Sequence, residues 1–165
     1  MEVKGLSKLD PIKEFRDDHR KVRDGLLEMI DALKTKNISK ASEILGKLDI
    51  MVGPHFRYEE ESLYPVMKTF LGEYVDDLIS EHDGVIETAR NTVKLLNKKT
   101  LTEKEGKKAA EAAQKLLIHV SNCDGLAILT ERLSSEELEG LGEKYSIARE
   151  ANIPMLEWAE KIRKR

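Results

Sequence analysis

The sequence predicts an all-α protein, an up-down-up-down four-helix bundle followed by short C-terminal helices. Two observations carry that expectation. Charged residues make up 36% of the 165-residue chain and aromatics only 5%, with four prolines in all, a composition that suits helices with charged outer faces better than sheets. Four long stretches also repeat apolar residues at steps of three and four, and the short polar breaks between them favour antiparallel neighbours. The length fits a single domain, 1–165, with the bundle core in about 10–133 and a helical extension in 134–165.

Residues 1–9 read as an irregular lead-in. Asp10-Pro11 then starts a helix, because aspartate caps free N–H groups and proline at the first helical position loses nothing by lacking one. Its stripe is Ile12, Phe15, His19, Val22, Leu26, Met29 or Ile30, and Leu33, and it runs to about residue 35. Ser39 can cap the second helix, whose stripe reads Ile44, Leu48, Met51 or Val52, His55, Glu59, and Ser62 or Leu63. Glu59 thus occupies a core position, while Glu60 and Glu61 turn progressively away. Pro54 falls inside this helix and should kink it, and Pro65 should end it.

Gly72 precedes a third helix, with Val75, Leu78 or Ile79, His82, Val85 or Ile86, Ala89, Val93 and Leu96 on its stripe. Thr102-Glu103-Lys104-Glu105 is a capping box that opens a fourth, carrying Ala109, Ala112 or Ala113, Leu116, His119 or Val120, Cys123 and Ala127. Ser134-Ser135-Glu136-Glu137 can start a short extra helix that Gly140 and Gly142 cut off, and another follows Pro154. The last thirty residues should fold over one bundle end, with Trp158 as a packing residue.

Several function classes are disfavoured. A net charge of -3 lacks the basic footprint a nucleic-acid binder needs, and the basic ending Lys161-Ile162-Arg163-Lys164-Arg165 is too short to supply one. No apolar run approaches the ~18 residues of a membrane span. Met1-Glu2-Val3-Lys4-Gly5 does not read as a signal peptide, and the single cysteine, Cys123, excludes an intrachain disulfide framework. A cytoplasmic protein without nucleic-acid or membrane partners is expected.

The four histidines carry the chemistry. His19, His55, His82 and His119 fall one to each predicted helix, each within an apolar stripe, an arrangement that chance would produce only about one time in a hundred. In an antiparallel pair, residues equidistant from the connecting turn lie level. The midpoint of His19 and His55 is residue 37, that of His55 and His82 lies between 68 and 69, and that of His82 and His119 lies between 100 and 101. All three fall in predicted turns, so the four rings meet in one layer. Glu59, four residues after His55, projects into it.

Four imidazoles and a carboxylate are costly to bury unless something pairs with all of them. A metal does, and this donor set suits iron, manganese or zinc. Two ions are the economical count. A second bridging carboxylate is harder to place. Asp124 stands five residues after His119, roughly 140° around an ideal helix. Cys123, four residues after it, is better placed, and as a thiolate could bind iron or zinc, or it could pack as a buried inert thiol. Glu81 adjoins His82 but points off its face, which favours a solvated role.

Together these residues resemble the hemerythrin-like (HHE cation-binding) family over roughly residues 10–133. His55-Phe56-Arg57-Tyr58-Glu59-Glu60 is similar to the family's His-Phe-x-x-Glu-Glu signature, and His119 with Asp124 to its His-x4-Asp, with His19 and His82 in the right order. The resemblance implies a non-haem di-iron centre with His19 and His55 on one iron, His82 and His119 on the other, Glu59 and Asp124 bridging, and an oxo or hydroxo bridge completing the core. One departure matters. Oxygen-carrying members have a further histidine four residues from that on the third helix, where this chain has Leu78 and Ile86, neither of them a metal ligand.

Loss of that ligand disfavours a dedicated oxygen carrier. The expectation is a di-iron protein that binds or senses O2 or NO, or handles iron, with a signalling or redox protein as partner for any output. Two alternatives are a di-iron enzyme with peroxidase or oxidase-like activity, acting on peroxide or a small substrate, and a metal-free helical interaction module.

Overall fold

The computed structural model describes residues 9–164, so the lead-in expected for residues 1–9 lies outside the described residues except at Leu9. Every regular element among the described residues is helical. Helix α1 spans Pro11–Lys34, and the Asp10 carboxylate accepts from the N–H groups of Ile12 at 3.0 Å and Lys13 at 3.2 Å, satisfying donors that have no partner inside the helix. Helix α2 spans Ile38–Tyr58. Its cap is Asn37 rather than Ser39: the Asn37 side chain accepts from the Lys40 N–H at 3.1 Å, after Lys36 turns the chain at φ 57°. Asparagine caps as well as serine and stands two residues earlier in the chain.

Pro54 is accommodated inside α2, and Pro65 does not end the helical path. A π turn over Glu59–Leu63 widens the spiral, and α3 (Tyr64–Leu71) continues from it with Pro65 in its first turn, where a missing N–H is tolerated. The stop comes at Gly72, whose φ of 56° suits glycine. Helix α4 follows over Tyr74–Leu96, and α5 over Glu103–Asp124 starts at the expected Thr102 and Glu105 capping box. A short α6 covers Ala127–Thr130.

The expected short helix after Ser134 is longer. Helix α7 runs Ser135–Ala151 straight through Gly140 and Gly142. A glycine inside a helix costs only about 1 kcal/mol, and Gly142 is used for close approach: a Cβ there would lie 2.5 Å from the Leu9 carbonyl oxygen. Helix α8, Met155–Lys161, follows Pro154 and buries Trp158 against Val52, Phe56, Ile86 and Ala89.

Helices α1 and α4 each pack against both α2 and α5, so these four enclose a common interior; α7 leans on α1 and α2, and α8 on α2 and α4. Two apolar clusters fill that interior. One holds Phe15, Tyr58, Tyr64, Leu78 and Cys123, joined by Tyr145 of α7. The other holds Met29, Leu33, Ile44, Leu96 and Ala113. On each of the four helices the histidine lies in sequence between its contributions to the two clusters or beside one of them, which leaves a polar layer between apolar ends.

Gly53 sets how closely the C-terminal extension can approach that layer. A Cβ on Gly53 would meet the Ile153 carbonyl oxygen at 1.9 Å and the Met155 nitrogen at 2.7 Å, both rigid backbone atoms. Gly53→Ala is therefore expected to cost about 3 kcal/mol, the upper end of ordinary overpacking, measured as a lowered midpoint of denaturant unfolding with an unchanged m-value.

Candidate metal centre

The polar layer is built from one residue of each long helix plus Glu59 at the start of the π turn. His19, His55, Glu59, His82 and His119 are all buried. Their ligating atoms form two groups of three, His19 with His55 and Glu59, and Glu59 with His82 and His119; within each group the atoms lie within 4.8 Å of one another. Glu59 is common to both. His55 Nε2 is 3.1 Å from His19 Nε2 and 3.1 Å from Glu59 Oε1, and His82 Nε2 is 3.5 Å from the same oxygen. Glu59 Oε2 accepts from the Tyr64 hydroxyl at 3.2 Å and from the Cys123 thiol.

A carboxylate on the outer side of every imidazole holds its orientation. His19 Nδ1 faces Asp124 Oδ1 at 3.0 Å, His55 Nδ1 faces Asp18 Oδ2 at 2.9 Å, His82 Nδ1 faces Glu60 Oε2 at 2.7 Å, and His119 Nδ1 faces Glu81 Oε2 at 2.7 Å. A carboxylate on Nδ1 fixes the tautomer and leaves Nε2 to face inward, which is the arrangement that orients histidine toward a metal. These carboxylates are themselves anchored. Arg149 donates to Asp18 at 2.9 Å, the Tyr145 hydroxyl donates to Asp18, Arg163 donates to Glu60 at 2.8 and 2.9 Å, and Arg16 donates to Asp124 at 3.3 Å.

The residues singled out by spacing are thus distributed unevenly. His19, His55, Glu59, His82 and His119 come together. Asp124, at the last position of α5, stands on the outer nitrogen of His19 and is not part of either group. Cys123 reaches the interior and touches Glu59 instead. Glu81, expected in solvent, supports His119, and Asn122 donates to its other oxygen at 3.0 Å.

Glu60, Tyr64, Asp18 and Tyr145 were not legible as site residues. The π turn explains the first two. The Tyr64 N–H bonds to the Glu59 carbonyl, so the hydrogen bond here spans five residues rather than the four of an α-helix, and Glu60 and Tyr64 are rotated inward relative to an α-helix. Asp18 carried a weak signal in adjoining His19, and Tyr145 carried none.

Burial and charge oppose one another across the layer. Burial pushes the Glu59 carboxyl up, but His55 and His82 prevail and hold it well below the usual carboxylate range. Burial lowers His55, but Glu59 and Asp18 raise it to about 9, and His82 is likewise raised by Glu59 and Glu60. For His19, burial and the neighbouring His55 charge prevail, bringing it down to about 4; His119 is lowered by burial and His82. Burial, then the Glu59 carboxylate, keeps Cys123 a thiol.

One atom is left without a partner. Glu59 Oε1 is buried and accepts no hydrogen bond, although it faces two imidazole nitrogens. An orphaned carboxylate oxygen between two nitrogen pairs is what a shared cation would satisfy, and the imidazole and carboxylate donor set fits iron, manganese or zinc. An apolar cavity of about 80 Å³ adjoins the layer, reaching from His19, His55 and His119 past Leu26 and Met29 to Leu33.

With this geometry in place, the comparison with known families is direct. The family model for the hemerythrin HHE cation binding domain matches residues 10–128, and the chain belongs to that family. Searches of curated proteins and of solved structures returned no match. The matched span contains all four long helices and every inward-facing histidine.

Asp18 offers a test of the outer carboxylates. Burial raises its pKa, but His55, Tyr145 and Arg149 together bring it down to about 2. Asp18→Asn keeps the shape and removes the charge that orients His55, so metal affinity is expected to fall about 10- to 100-fold, the usual effect of losing such a partner. Competition against a chelator measures it.

Proposed function

We propose that the chain is a non-haem di-iron protein that binds or senses O2 or NO, or handles iron. Glu59 carries this reading: its Oε1 is buried, unpartnered and aimed between His55 Nε2 and His82 Nε2. One ion would be held by His19, His55 and Glu59, the other by Glu59, His82 and His119. When bound, the iron pair supplies one-electron redox changes and open positions for a small ligand. The protein's part is to hold the four Nε2 atoms inward through Asp124, Asp18, Glu60 and Glu81, and to exclude water with Phe15, Phe56 and the apolar ends of the bundle.

Small uncharged molecules suit the apolar cavity beside the layer, since such cavities stay dry and admit apolar guests. The up-down-up-down course of α1, α2, α4 and α5 belongs to the same reading. Its support is that α1 contributes Phe15 to one cluster before Met29 to the other, α2 reverses that order with Ile44 before Tyr58, and α4 and α5 alternate likewise. A cytoplasmic location accords with the lone buried cysteine, and among the described residues no helix is long and apolar enough to cross a membrane.

The deciding experiment is metal analysis of protein purified without added metal, followed by exposure to O2, NO and peroxide. About two irons per chain and stoichiometric adducts without turnover are expected. Sustained peroxide turnover would move the reading to a di-iron enzyme. Metal-free protein that takes up no iron would leave a helical interaction module.

A further inference from the structure

The geometry points to Tyr64 as an additional metal ligand, its phenolate oxygen completing the cation site formed by Glu59, His82 and His119. This deepens the metal-centre reading and rests on it. The first observation is position. Tyr64 is fully buried, and its hydroxyl oxygen lies 3.2 Å from Glu59 Oε2, 3.2 Å from His82 Nε2 and 3.4 Å from Cys123 Sγ. Two of those three atoms belong to residues of one three-membered group, and His82 presents to Tyr64 the nitrogen that faces inward, not the one held by Glu60.

The second observation is backbone geometry. On an ordinary α-helix a residue five positions after Glu59 would sit roughly 140° away from it, off the interior face. The π turn reduces that offset, because its wider spiral, closed by the bond from the Tyr64 N–H to the Glu59 carbonyl, rotates each residue less than an α-helix does. Such turns are uncommon and cluster at functional sites; here the turn brings a carboxylate and a phenol to the same spot.

The third is contrast with the other tyrosines. Tyr145 places its hydroxyl at the outer side of the layer, against Asp18 and His55 Nδ1. Tyr58 stacks on Tyr145, and Tyr74 is exposed. Tyr64 alone reaches the inner, Nε2 side. Its hydroxyl donates to Glu59 Oε2, which leaves the oxygen's lone pairs turned toward His82 Nε2 and Cys123 Sγ, on the side of the cation site.

The group of Glu59, His82 and His119 supplies two imidazoles and a carboxylate, and Tyr64 is the tyrosine whose oxygen lies beside it. Tyrosine oxygen is an established kind of ligand for ferric iron in haem proteins. On coordination the phenol O–H bond breaks, the oxygen forms its bond to the ferric ion, and the proton passes to solvent; no electron is transferred.

The test is the optical and resonance Raman spectrum of the ferric-loaded full chain. Wild type should show a visible phenolate-to-iron charge-transfer band with enhanced tyrosine vibrations. Tyr64→Phe should lose both while still holding iron through the histidines and Glu59, and Tyr74→Phe, at an exposed tyrosine, should keep both. Wild type loaded with two irons but lacking the band overturns the assignment and leaves the metal centre intact. A band that survives Tyr64→Phe and disappears in Cys123→Ser overturns it in favour of sulfur. Failure of the wild type to load iron overturns the assignment and the metal-centre reading together.

Discussion

Replacing Glu59 with glutamine is expected to strip the protein of bound metal, lowering affinity for both ions by more than about 100-fold, beyond what loss of an outer-sphere partner costs. Glu59 is the residue that the two ligand groups share, and it contributes their only carboxylate. Glutamine preserves volume and one oxygen but removes the negative charge opposite His55 and His82. Each ion would then face two imidazoles and a weak amide oxygen. Metal content after gel filtration, with helicity followed by circular dichroism, separates lost binding from lost folding. A folded Glu59→Gln protein retaining two irons would refute the shared-carboxylate centre.

Affinity for a redox-silent dication such as zinc is expected to rise at least about 10-fold per pH unit as the pH climbs toward 9 and then to level off, as the proton on His55 leaves. The sign follows from the two raised imidazoles. His55, raised to about 9, is imidazolium in the metal-free protein at neutral pH, so an ion must displace its proton, and His82 is raised in the same direction by Glu59 and Glu60. Raising the pH removes the competitor and tightens binding. His19, at about 4, is already neutral and releases nothing. Calorimetry in two buffers of different ionisation enthalpy counts the protons, and a count of zero would contradict the charge distribution described here.

The histidine layer was legible because each ring obeys the same apolar period as its helix, and because two of the three midpoints, residue 37 and residues 100–101, fall between helices. The third, between 68 and 69, lies inside α3, since the helical path continues to Leu71. The caps at Asp10 and Thr102 were legible for a simpler reason: their side chains satisfy donors only two or three residues away. The π turn was not. Hydrophobic periodicity assumes a constant rotation per residue, and a single wide turn displaces Glu60 and Tyr64 without changing the pattern around them. Gly140 and Gly142 misled for a different reason. Propensity marks glycine as a breaker, while packing of Gly142 against Leu9 depends on a partner distant in sequence. Asp124 shows the limit of a motif: its spacing from His119 was read correctly, but its carboxylate is taken up by His19 and Arg16.

The ring of carboxylates around the imidazoles also governs what the protein is without its cargo. Asp18, Glu59, Glu60, Glu81 and Asp124 face the four rings, and the guanidiniums of Arg16, Arg149 and Arg163 offset them only in part. The interior therefore demands positive charge, and the proton on His55 acts as an understudy for a cation. A bundle that loses a cation from this layer near neutral pH is expected to take up a proton on His55 in its place and stay folded, which circular dichroism of chelator-treated protein checks. That substitution has an alkaline limit: a histidine with a raised folded-state pKa contributes stability fully below 6.5, and the contribution is lost as the pH passes about 9. Above that limit the carboxylates of the empty protein are offset by the three guanidiniums alone.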